Sequence, residues 1–146
     1  AEAINLISGM IEIRNEKTVF PNTEVAKITH DLRNSLKYIK EIKFTGHPNH
    51  RLPNHISLVV EPQNGKPVKG IEVVLNMAKR GYSISSGTAC SANKTSDNSV
   101  LSKIGCPVVL QVSSIRISLG NWITRKDIID FPTNLKESIL ETTIKT

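Results

Sequence analysis

Cys90 is distinguished by its neighbours. It sits in Ser85-Ser86-Gly87-Thr88-Ala89-Cys90-Ser91-Ala92, and the residues that follow, Asn93 to Ser99, are all polar or charged. An ordinary free cysteine is a small buried hydrophobe. Here the large apolar neighbours that would bury it are missing. The expectation is therefore an exposed, mobile thiol, the setting of a nucleophile. A flexible stretch of ten residues extends to about 30 Å, so such a thiol could visit one site and then another.

Three further groups bear on chemistry. Arg116 lies in an alternating run in which Ile115, Ile117 and Leu119 share one face and Ser114, Arg116 and Ser118 the other. It reads either as a surface arginine or as a fixed fork for a carboxylate. His47, His50 and His55 fall close together, but their spacing matches no zinc pattern and Pro48 and Pro53 hold the loop extended, so no metal is expected. Cys106, in Ile104-Gly105-Cys106-Pro107-Val108, has apolar company and reads as structural.

Positioning these groups requires a particular order of elements. From Glu2 to Lys17 the residues Ile4, Ile7, Met10 and Ile11 recur at helical spacing and predict a first helix. Thr23 is placed to cap a second, with Val25, Ile28, Leu32, Leu36 and Ile39 as its apolar face. A strand start at Ile42 and Phe44, a loop from Gly46 to Pro53 and a strand from His55 to Glu61 follow. After the turn chemistry of Glu61 to Pro67, a helix from Val68 to Arg80 is expected with Ile71, Val74, Leu75 and Ala78 inward and Gly81 as its stop. A strand at Tyr82 to Ser85 precedes a small and polar stretch, Gly87 to Ser99, expected to be mobile. Then come a short helix to Ile104, the strand Val112 to Leu119, and a helix opening at Thr124 with Asp127 three residues on. Pro132 should kink that helix or force a restart. Strands separated by helices, with one hairpin-like pair, predict an α+β domain: a small, mostly antiparallel or mixed sheet flanked by helices.

The 146 residues suffice for one domain with a core, read as a single unit over 1–146. Hydrophobic residues at 38% and charged residues at 22% are ordinary for a globular chain. The net charge of +6 is scattered, aromatic residues make up only 4%, and no recognition motif is present, which argues against a nucleic-acid module. No apolar run is long enough to span a bilayer, so no membrane partner is expected. Ala1-Glu2-Ala3 opens into an amphipathic pattern without the features of a signal peptide or an initiator methionine, the expectation for a processed product or an excised piece. Two cysteines are too few for a disulfide scaffold, so a reducing compartment, the cytoplasm, is expected.

Taken in order, these runs resemble the C-terminal small domain of the NifS/IscS-like cysteine desulfurases, pyridoxal-phosphate enzymes of the aminotransferase class V fold. The matching runs are Gly46-His47-Pro48, Arg51-Leu52-Pro53-Asn54-His55, Ser85-Ser86-Gly87-Thr88-Ala89-Cys90, Val100-Leu101 with Gly105, and Ser113-Ser114-Ile115-Arg116-Ile117-Ser118-Leu119-Gly120. The resemblance implies that Cys90 takes sulfur from cysteine as a persulfide, with release of alanine, and that Arg116 binds the substrate carboxylate. It implies a cofactor-bearing large domain absent from this chain, a sulfur acceptor such as an iron–sulfur scaffold protein, and a homodimeric complete enzyme. The family's cofactor lysine follows a histidine, and this chain has no His-Lys pair. No cofactor is therefore expected on the chain alone, which is expected to be inactive. The alternative is a stand-alone persulfide carrier or sulfurtransferase. Two local departures are Lys94-Thr95-Ser96-Asp97-Asn98, where relatives often carry a proline, and Pro132 within the terminal helix.

Overall fold

A computed structural model describes residues 12–14, 17–19, 23–87 and 100–144. The first elements are strands β1 (Glu12–Arg14) and β2 (Lys17–Val19), which pair antiparallel with Ile13 opposite Thr18. This corrects the expected helix from Glu2 to Lys17 over its last residues; the rest of that helix lies outside the described residues. The β-branched Ile13, Thr18 and Val19 favour extended backbone over the helical spacing read through them.

Helix α1 (Glu24–Leu36) begins where expected, with the Thr23 side chain accepting from the Ala26 N–H at 3.3 Å. Val25, Ile28, Leu32 and Leu36 are buried along it, and Ile39 is buried just beyond its end. Strands β3 (Ile42–Phe44) and β4 (His55–Val60) form the anticipated hairpin-like pair, Ile42 opposite Val60.

Helix α2 (Gly70–Lys79) faces inward differently from the expectation. Gly70, Val73, Asn76 and Met77 are buried, Val74 is half-buried, and Ile71, Leu75 and Ala78 are exposed. The cause is the close approach at Gly70. A Cβ there would lie 2.6 Å from the Ser114 carbonyl oxygen, so the side with no side chain must face the sheet. One helical repeat then turns Val73 and Met77 into the core. Asn76 is satisfied there by Thr142 Oγ1 at 3.2 Å.

Strand β5 is shorter and later than expected, Ser85–Ser86, because the chain folds back first: the Tyr82 N–H donates to the Met77 carbonyl at 3.0 Å. Helix α3 (Val100–Lys103) ends near Gly105, as read from the sequence. Helix α4 (Val108–Gln111) was not anticipated: one turn starting after Pro107 is too short for periodicity to reveal. Strand β6 (Ser114–Ser118) follows. Helix α5 (Arg125–Ile128) opens on a Thr124–Asp127 capping box, and α6 (Phe131–Ile144) restarts with Pro132 in its first turn, where a missing N–H costs nothing.

The four-stranded sheet has the order β3-β4-β6-β5, antiparallel throughout. Its inner face carries Ile56, Leu58, Val60, Ile115 and Ile117, which join Leu32, Leu36, Val73, Met77, Leu135 and Ile139 in one core. On the other face, among the described residues, Arg116 and Ser118 are exposed. Among the described residues, no helix is long and apolar enough to cross a membrane.

Candidate functional site

The outer face of the sheet is polar because the strands alternate. Register puts His55 opposite Ser118, Ser57 opposite Arg116, and Ser85 opposite Arg116 from the other side. These residues therefore share one face, while Ile56, Leu58, Ile115 and Ile117 fill the other. The two ends of the face differ. Val59 and Ser114 are buried, whereas Arg116 and Ser118 are exposed.

Arg116 is held across the strands. Its Nη2 donates to the Ser86 carbonyl oxygen at 3.4 Å, which lays the guanidinium toward β5; among the described residues this is its one hydrogen bond. Beside it the face is pre-ordered by hydroxyls. The Thr45 and Ser57 hydroxyls are 2.7 Å apart, and His55 Nδ1 is 3.0 Å from the Ser118 hydroxyl. Asn54 clamps the end of this strand pair: its side chain donates to the Leu119 carbonyl at 3.0 Å, and the Leu119 N–H donates to the Asn54 carbonyl at 2.9 Å. Burial lowers the His55 pKa, and the charges of Arg51 and Arg116 lower it further. The imidazole is thus biased to its neutral form.

Arg51 braces the loop before β4. Its Nη2 donates to the Thr45 carbonyl at 2.8 Å, and its pKa is depressed by burial and by Arg33. Arg33 in turn lies 4.8 Å over the Phe44 ring and donates to the Pro48 carbonyl at 3.2 Å. In the same loop, His47 Nδ1 accepts from the Asn49 and His50 N–H groups at 3.1 and 2.9 Å. That ring nitrogen serves the turn rather than a ligand.

Cys90 lies outside the described residues, but both ends of its segment are in view. The Gly87 N–H donates to the Ser114 carbonyl at 3.0 Å. A Cβ on Gly87 would lie 1.9 Å from Ser114 Oγ and 3.7 Å from Leu101 Cδ1. Gly87 and the Leu101 side chain, which flank residues 88–99, thus lie beside the same serine, two positions along β6 from Arg116. Only glycine permits so close an exit. Cys106 is half-buried between α3 and α4. Its N–H donates to the Leu101 carbonyl at 2.9 Å, and burial pushes its thiol pKa up.

Among the described residues, Arg116 is exposed on the face that it shares with Ser57, Ser85 and Ser118. Sequence reasoning missed Ser57, Thr45 and the pairing of His55 with Ser118. The signal was present: His55 and Ser57 alternate with Ile56 and Leu58, which marks them as the outer face of β4. Reading His55 only with His47 and His50, as a metal question, hid that alternation.

No family model matches the chain. Curated relatives do. A protein named Cysteine desulfurase IscS from Dictyoglomus turgidum is 31% identical over 110 residues, 75% of this chain and 26% of the relative. The protein of the same name from Mannheimia succiniciproducens is 31% identical over 142 residues, 95% of this chain and 33% of the relative. The chain thus spans about a quarter to a third of the length of the curated relatives it matches. Among solved structures, a NifS-like protein from Rickettsia africae is similar with a TM-score of 0.63 and 24% identity, over 78% of this chain and 28% of that one. A second NifS-like protein gives 0.62 and 20%, over 80% and 27%. These two likenesses are of fold. With relatives of one name aligning along nearly the whole length and the same fold beneath them, the chain belongs to the cysteine desulfurase family as a NifS/IscS-like domain.

Proposed function

We propose that this chain is the C-terminal small domain of a pyridoxal-phosphate-dependent cysteine desulfurase and that Cys90 is its sulfur-carrying nucleophile. In the overall reaction, L-cysteine and the Cys90 thiol give L-alanine and a Cys90 persulfide. The sulfur gains a bond to Cys90 Sγ and loses its bond to carbon, and a proton replaces it on that carbon. The single observation that supports this reading most is the return of both ends of residues 88–99 to Ser114, on the strand that carries Arg116. A thiol three residues past Gly87 is tethered within about 10 Å of that point.

Arg116 binds the substrate carboxylate in this reading. Its guanidinium is anchored by one bond to Ser86 and keeps donors for a planar anion. The described residues fit that carboxylate and do not fit the cofactor. On the same face Lys43, opposite Val59, is ion-paired to Glu61, and no lysine in the chain follows a histidine. The cofactor accordingly belongs to a large domain outside this chain. The complete enzyme is a cytoplasmic homodimer that passes sulfur to an acceptor such as an iron–sulfur scaffold protein. The relatives' shared name favours this reading over a stand-alone carrier.

Supplying the chain with a separately produced cofactor domain tests the proposal. Alanine release from cysteine should appear in the mixture and be missing from the chain with pyridoxal phosphate alone. Alanine production by the chain alone, or an active mixture containing Cys90→Ser, would overturn it.

A further inference from the structure

The outer sheet face holds a second group that the proposed chemistry leaves unused. His55 and Arg116 are diagonal neighbours across β4 and β6, since His55 pairs with Ser118 and Arg116 with Ser57. Side chains in that relation on one sheet face reach a common small ligand. Resting on the carboxylate role of Arg116 proposed above, we infer that His55 is a second substrate-contacting residue, donating from Nε2 to the amino-acid carboxylate that Arg116 holds.

The tautomer follows from the neighbours. The Ser118 hydroxyl is 3.0 Å from Nδ1, and in the arrangement we infer the hydroxyl donates to Nδ1, which puts the ring proton on Nε2. Among the described residues, the charged groups acting on His55 are Arg51 from the preceding loop and Arg116 from β6, both positive. Ser57 and Ser118 are the neutral groups beside it on this face. In the free chain burial, and then those two cations, bias the imidazole toward its neutral form. A bound carboxylate cancels part of that repulsion, so ligand binding and His55 protonation must favour each other reciprocally.

The experiment uses the 146-residue chain with ¹⁵N-labelled histidine, acetate as the carboxylate probe, and three forms: wild type, Arg116→Gln and His55→Asn. In the wild type the His55 signals should report the Nε2–H tautomer at neutral pH. Acetate should raise the His55 titration midpoint, and Arg116→Gln should abolish that rise. His55→Asn should still bind acetate, about tenfold to a hundredfold more weakly, as expected for loss of one hydrogen bond to a charged group. An acetate response at the amides around Arg116 with an unmoved His55 midpoint, or an Nδ1–H tautomer, would overturn the inference while leaving the role of Arg116 intact. Absence of any acetate response around Arg116 would remove both.

Discussion

The side chains that carry chemistry differ in how the fold prepares them. Cys106 is half-buried with its pKa raised, so it is mostly thiol at neutral pH and a poor nucleophile. Alkylation followed by peptide mapping should therefore label Cys90 well before Cys106; the reverse order would assign the reactive thiol wrongly. Arg116→Gln in the reconstituted enzyme should raise the KM for cysteine about tenfold, the loss of one charge-assisted contact, with less effect on kcat. An unchanged KM would take Arg116 out of the site. His55 carries a pH consequence. Its folded pKa lies below the ordinary histidine value, so the unfolded chain binds the proton more readily. Its contribution to stability is complete above about pH 6.5, the unperturbed histidine pKa, and is lost as pH falls through the lower folded value. Melting temperatures of the wild type and His55→Asn should thus converge on acidification. At this scale Arg116 was legible because strict alternation around it names its face. His55 was not, because a cluster of three histidines suggests a metal more readily than a sheet face.

Elements were legible where one period dominates. The helix over Glu24–Leu36 announced itself through a cap and an unbroken apolar stripe, and β6 through alternation. The inner face of α2 was hidden because its deciding residue has no side chain. Gly70 turns inward under the Ser114 carbonyl, and a hydrophobicity pattern gives glycine no weight. Gly70→Ala should destabilise the domain by about 1–3 kcal/mol, since backbone atoms of Ser113 and Ser114 must move to admit a methyl group. Chemical denaturation measures this directly, and a neutral result would mean the helix can slide. Ile71→Ala on the exposed side should cost far less, which checks the corrected face. The first hairpin escaped prediction because three-residue strands carry too few alternations to outvote a longer helical spacing.

The molecule as a whole separates its duties between the two faces of one sheet. Helices packed beneath complete the core; the polar side above holds the side chains to which the proposed chemistry is assigned. The fold class could be read from the order of elements, whereas the second layer's exact seating depended on long-range contacts such as Arg80 on α2 with Glu137 and Glu141 on α6. The point where Gly87, Leu101 and Ser114 meet has a consequence for how such a domain can diversify. Because departure and return are pinned side by side, residues can be added between them without stretching the sheet. Each doubling of that span costs only about 0.6 kcal/mol in closure entropy. A span of a different length could therefore be fitted between these two anchor points at almost no expense to the sheet that holds them.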